Sequence, residues 1–191
     1  MILQNARVLV AVAVVLPAAV FAVAQTDGHV RQIAEARVPK ARAMASDAEL
    51  LQAVVAKNGQ RETAEQIQAR DRQWMSNPAD PLRRGLTESP CAQRLRDLVK
   101  DDPLIAEVIL MDEHGANVCV SKATSDYWQG DEAKWEKTFR EGLDPFVDSP
   151  AFDASSGVFA VQLSVPVWKD KKRVGALTLT MKVPKAKASG R

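Results

Sequence analysis

The sequence predicts an α+β chain, with an N-terminal helical region packed on a five-stranded antiparallel sheet. Two changes of pattern carry that expectation. Up to Val99, apolar residues recur at the three- and four-residue spacing of a helix face, punctuated by capping signatures. From Leu104 onward the period shortens toward two, and apolar runs of strand length alternate with turns rich in Gly, Asp and Ser. At 191 residues the chain is long enough for one domain with a real core. Its 26 Lys and Arg stand against 24 Asp and Glu, so no net field draws it to nucleic acid or to an anionic membrane.

The first 24 residues read as a signal peptide. Arg7 is the only charge, Val8 to Val20 is almost wholly apolar, and Ala22-Val23-Ala24 supplies the small residues a signal peptidase needs. The competing reading is an uncleaved anchor, because the uncharged run to Ala24 approaches the roughly 20 residues that span a bilayer. Pro17 and the Ala-x-Ala motif favour cleavage after Ala24, which places the mature chain in the periplasm or outside the cell.

Residues 25–75 form the helical region. Val30, Ile33, Ala34, Val38, Ala41 and Ala45 share one helix face, and Pro39 breaks or kinks it by removing a backbone donor. Ser46 and Glu49 have capping-box spacing and open a helix carrying Leu50, Leu51, Val54 and Val55, which Asn58-Gly59 ends. Thr63 and Gln66 repeat the signature ahead of Ile67 and Trp74, and that helix stops before Asn77-Pro78. The next segment, residues 76–88, holds two prolines and a glycine without periodicity and reads as a loop. Ser89-Pro90 then starts a helix with Ala92, Leu95, Leu98 and Val99 as its buried stripe.

Leu104 to Met111, the turn Asp112 to Gly115, and Ala116 to Ser121 read as a β-hairpin. After an aromatic-rich segment, Gly130 or Asp131 caps a short helix through Phe139, with Gly142 just past its end. Phe146 to Phe152, Val158 to Trp168 and Val174 to Val183 read as three further strands, joined by turns at Ser155-Ser156-Gly157 and Lys169 to Arg173. Residues 184–191 are a short basic tail. No apolar stretch follows the last strand, so a second membrane span and an output domain are not expected.

Chemistry-bearing motifs are sparse. There is no Gly-x-Ser-x-Gly elbow, no phosphate-cradling glycine loop, and no cysteine with a nearby histidine, so no catalytic residue, enzyme activity or cofactor is expected. His29 and His114 lie far apart without ligand spacing, and no metal is expected. Cys91 and Cys119 form an even count that allows one disulfide in an oxidising compartment, while two free buried thiols fit equally well.

The segment TSDYWQGDEAKW, Thr124 to Trp135, concentrates aromatic and charged residues. Trp135 and Phe139 lie four apart and belong on one buried face, which turns Lys134 and Glu136 outward. Asp131 and Glu132 fall in the first helical turn, where they cap or contact a ligand. Asp126, Tyr127 and Trp128 precede the helix and supply the aromatic walls and placed polar groups of a pocket. Two other roles stay open: Trp128 closing the core edge with its indole N–H on a carbonyl, and Asp126 capping the loop.

The run MDEHGANVCVSKATSDYWQGDEAKW, Met111 to Trp135, together with Val165-Pro166-Val167 and Gly175-Ala176, resembles exported single Cache (PDC-type) sensor domains over residues 40–183. The resemblance implies a PAS-like sheet with a long N-terminal helix, and a small-molecule pocket between the sheet and the loops after its second strand. It also makes Asp148 and Asp153 candidates for facing the ligand, although Asp153 could simply begin a turn. Cys119 stands where the family would carry an ordinary polar or small residue. The candidate ligand residues are therefore Asp126, Tyr127, Trp128, Asp131 and Asp153, within a sensor domain of residues 76–183. The function implied is an exported extracytoplasmic module that binds a small organic solute, lacks its own transmembrane output and acts through a membrane receptor partner. The alternative is a structural protein that keeps the fold without ligand and pairs as a homodimer through its N-terminal helices.

Overall fold

The computed structural model describes residues 28–153 and 157–183. The expected signal peptide, the basic tail and the turn residues Ser155 and Ser156 lie outside the described residues.

Among the described residues six helices come first: α1 (residues 28–35), α2 (Val38–Ala45), α3 (Ala48–Asn58), α4 (Ala64–Ser76), α5 (Pro81–Glu88) and α6 (Pro90–Val99). Pro39 produces a break rather than a kink. It sits in the first turn of α2, where its missing N–H has no intrahelical partner to lose. The cap of α3 is Asp47, one residue later than the expected Ser46, and its carboxylate accepts the N–H groups of Glu49 (3.1 Å) and Leu50 (3.2 Å). Ser46 closes α2 instead, its own N–H bonding back to Arg42 and Ala43. Thr63 and Gln66 form the reciprocal capping box of α4 as expected.

The segment expected to be a loop contains α5. Asp80 caps it by accepting from Leu82 N–H (2.7 Å), and Pro81 occupies the first turn. Pro81, which read as a breaker, thus falls where a helix tolerates it, and Leu82 and Leu86 pack on the cluster around Trp74 and Tyr127.

The strands are β1 (Ile105–Met111), β2 (Asn117–Val120), β3 (Phe146–Val147), β4 (Ala151–Asp153), β5 (Val158–Lys169) and β6 (Lys172–Lys182). They form one antiparallel sheet in the order β2-β1-β6-β5-β3, with β4 also paired to β5. The expected third strand is split in two around Pro150, which has no amide to donate to the ladder. Six strands result among the described residues where five were expected. The β5–β6 turn is tight, because Asp170 and Lys171 both take positive φ (49° and 64°), the geometry that matches strand twist.

Both faces of the sheet are covered. Val30, Ala41, Met44, Leu50, Val54 and Leu95 from the helices meet Val108, Leu110, Leu163, Val165 and Leu177 on one face. On the other, Ile109, Met111, Val120 and Ala176 lie under Trp135, with Phe139 packed alongside. A disulfide joins Cys91 of α6 to Cys119 of β2 across 6.0 Å between Cα atoms. Among the described residues, no helix is long and apolar enough to cross a membrane.

The short helix α7 (Ala133–Trp135) runs directly into a wider π-helical turn, Glu136–Arg140. Its N-cap position is Glu132, not Gly130 or Asp131. Gly130 has a different task. A Cβ there would lie 2.4 Å from Trp128 Nε1 and 2.7 Å from the His114 carbonyl, so only glycine lets the segment lie against the β1–β2 turn.

Candidate functional site

The segment after β2 is held in place from below by polar side chains of the hairpin and of α4. Asn117 Nδ2 donates to Thr124 Oγ1 (2.9 Å) and to the Asp126 carbonyl (3.1 Å). The Thr124 carbonyl accepts from Trp74 Nε1 and from Arg83, both at 3.0 Å. Asp71, a buried carboxylate of α4, accepts the successive backbone N–H groups of Tyr127 (2.9 Å) and Trp128 (3.0 Å). Ala116 and Trp128 form an isolated antiparallel bridge, so the chain here runs almost as an extra strand.

Tyr127 belongs to this scaffold. It is fully buried beside Trp74, with ring centroids 6.1 Å apart, and its hydroxyl donates to Glu62 Oε2 (3.1 Å). Burial works against the charge of Glu62, but Lys57 (2.6 Å), Arg70 (2.5 Å) and the Tyr127 hydroxyl outweigh it and hold the carboxyl below its usual range. Burial, aided by Glu62 and Asp112, pushes the Tyr127 phenol well up.

Above the scaffold lies a cavity of about 220 Å³ between the segment and the outer strands. Thr124, Ser125, Gln129, Glu132 and Lys134 form one wall. Asp148, Ser149, Phe152 and Asp153 form the other, and Ala160 and Gln162 of β5 form the floor. Lys134 is only 5% exposed and donates to Glu132 at 2.8 Å. Gln162 donates to Asp153 Oδ2 (2.9 Å), and Gln129 donates to the Asp126 carboxylate. Burial raises the carboxyl groups of Asp126 and Glu132 above their ordinary range, against the opposing pull of Gln129 on the first and Lys134 on the second.

The structure distributes the candidate residues among three places. Asp153 lines the cavity, as does Asp148, and Asp126 stands one layer behind it through Gln129. Trp128 and Asp131 line a second, more apolar cavity of about 440 Å³ with Ile67, His114 and Trp135. Tyr127 lines neither. The Trp128 indole N–H donates to the His114 carbonyl (2.8 Å), as its core-edge reading required. Lys134, expected to point outward, is buried instead. The wheel that turned it out assumes a regular helix, whereas α7 has a single turn and then widens.

Lys134, Gln129 and Gln162 were not among the candidates, and Glu132 was read as capping the helix or contacting a ligand. One signal for Gln162 was present, since it and Ser164 interrupt the otherwise apolar β5 run on a single face. No comparable signal marks Lys134.

No protein-family model and no curated protein matches the chain. Among solved structures, the chain is similar to the sensor domain of the V. cholerae histidine kinase DctB, at 14% identity and TM-score 0.45, covering 86% of this chain and 56% of that one. It is similar to the ligand-binding domain of the Pseudomonas fluorescens chemoreceptor CtaA, solved with L-valine, at 12% identity and TM-score 0.44, covering 82% and 56%. A third is the ligand-binding domain of the Campylobacter jejuni chemoreceptor Tlp3, solved with 4-methylisoleucine, at 13% identity and TM-score 0.41, covering 78% and 59%. The chain thus spans little more than half the length of each. All three are sensor or ligand-binding domains.

Proposed function

We propose that the chain is an exported, extracytoplasmic module that binds a small organic solute in the 220 Å³ cavity and signals its occupancy through a membrane receptor partner. One observation carries the proposal: the buried ammonium group of Lys134, paired with the half-exposed Glu132, lines open space instead of packed core. Taking a lysine charge out of water is costly and is often no better for stability than apolar packing. Such a pair beside a void is better explained by recognition than by stability. The leader-like N-terminus supports export, and the resemblance of the central motif to sensor domains supports the signalling role.

Thermal denaturation of the mature protein across a metabolite library tests the reading. A solute at 100 times its dissociation constant adds about 2.7 kcal/mol to stability, a readily measured rise in Tm. That rise should disappear in Lys134→Met while the variant still unfolds cooperatively. A complete library without a single thermal shift would remove the ligand from the function.

A further inference from the structure

We infer that the tip of the β5–β6 hairpin is a docking surface for an anionic lipid membrane. The inference goes beyond solute binding and does not depend on it. The tip reads Trp168-Lys169-Asp170-Lys171-Lys172-Arg173, four basic residues to one acid, and residues 168–172 are all exposed. The charge of the whole chain is nearly even, so this concentration is local. The tip also projects past its neighbours: β1 pairs with β6 as far as Ala176 and β3 with β5 as far as Ser164, and the hairpin runs on beyond both. The cluster does not favour the hairpin itself. Lys169 and Lys172 are direct partners across the two strands, and like charges so placed repel. Lys171 holds φ at 64°, a left-handed backbone that hairpin turns usually give to glycine or asparagine. Folding thus leaves the lysines unexplained, whereas a negatively charged surface explains them.

An apolar element accompanies the charge. Trp168 is 48% exposed, and Leu143, next to Gly142 in the chain, is 45% exposed. Trp168 lines an open hollow with Phe139, Arg140, Lys171, Lys172 and Arg173. Arg173 is fixed there. Its guanidinium lies over the Phe139 ring at 6.0 Å and donates to the Thr138 carbonyl at 3.4 Å, and Gly142 leaves it room, since a Cβ there would lie 2.5 Å from Nη1. Glu141, which also lines the hollow, is engaged by Lys137 at 2.7 Å. A half-exposed tryptophan among lysines suits the surface of a bilayer, with the indole at headgroup level and the ammonium groups on the phosphates. A dissolved anion or an acidic peptide would use the cations but gives no reason for the bare indole. Docking by the tip also leaves the 220 Å³ cavity clear of the membrane. Ala160 of its floor and Lys169 of the tip stand roughly 30 Å apart along β5, at about 3.3 Å per residue.

Co-sedimentation of the mature full-length protein with lipid vesicles at low ionic strength tests this. Vesicles of equal parts phosphatidylglycerol and phosphatidylcholine should carry the protein down, and vesicles of phosphatidylcholine alone should not. Lys171→Gln combined with Lys172→Gln should weaken binding about thirtyfold, because each basic residue near an anionic surface contributes about fivefold. Salt should release the protein, as the screening length shrinks to about 3 Å at 1 M. When the anionic vesicles carry lipid brominated in its acyl chains, tryptophan fluorescence should be quenched, and Trp168→Phe should lose that quenching, since Trp74 and Trp135 are buried and the Trp128 indole is bonded to the His114 carbonyl. An unchanged Tm shows that the variants fold. Equal binding to both kinds of vesicle, no binding to the anionic ones, or binding that survives the double substitution overturns the proposal. Tighter binding to poly-L-glutamate than to anionic vesicles, lost in the same double variant, overturns it too and makes the tip a contact for an acidic protein.

Discussion

Asp71 shows how much of the site depends on a side chain that never reaches it. Its carboxylate takes the two successive N–H groups of Tyr127 and Trp128, fixing the path of the backbone that goes on to carry Gln129, Glu132 and Lys134. Asp71→Ala leaves two amides without a partner, and each unsatisfied buried group costs about 1–3 kcal/mol. Urea denaturation should therefore show a loss of about 2–6 kcal/mol, against about 1 kcal/mol for Trp128→Phe, which removes only the indole bond to His114. The neighbouring residues Asp126, Tyr127, Trp128 and Asp131 looked like one wall in the sequence. In three dimensions they serve a second layer, the core and a separate cavity, because an extended backbone sends successive side chains in different directions. The composition of the segment was legible, but its allocation depended on Asp71, 56 residues from Tyr127 in the chain.

Among the elements, α6 and β2 are joined covalently. The Cys91–Cys119 bridge closes a 28-residue separation, and in the loop-entropy description that limits the unfolded chain by about 3.5 kcal/mol. Replacing both cysteines by alanine should lower the free energy of unfolding by about that amount, and a reductant should then have no further effect on the variant. The helices α3, α4 and α6 were readable because their caps and apolar stripes agree, as Thr63, Gln66, Ile67 and Trp74 illustrate. Elements were missed where local signals pulled against each other. Pro81 and Gly85 masked α5, Pro150 divided one strand into two, and the turn that widens after Trp135 defeated helical periodicity. None of these outcomes can be decided within a window of a few residues, since each depends on what the neighbouring strand or helix accepts.

At the scale of the whole molecule, two sets of carboxylates respond to acid in opposite senses. Hydrogen bonds from Arg94 hold Asp47 below its ordinary range, and hydrogen bonds from Arg37 do the same for Asp102, while Glu62 is held down by its cationic neighbours. A group depressed in the folded state contributes stability above its unfolded pKa and loses it as pH falls through the folded value. Burial raises Asp112, Asp126 and Glu132, so their charge costs stability at neutral pH and protonation relieves that cost. The first set ties elements together: Arg37, between α1 and α2, to Asp102 beyond α6, and α3 to α6 through Asp47 and Arg94. Tm should accordingly fall as pH drops from about 5 to 3, and Asp102→Asn should start lower at neutral pH and fall less steeply. A parallel decline in the two proteins would remove Asp102 from the acid limb.

The grip of α4 on the segment after β2 bears on how this polypeptide could be shortened or inherited. Glu62, Asp71 and Trp74 precede residue 76, yet they clasp Tyr127 and Thr124. The leading helices are therefore no stalk that could be shed to leave the sheet and its cavity intact. Evolution or an engineer wishing to transplant the half that carries the cavity must carry its foundation along.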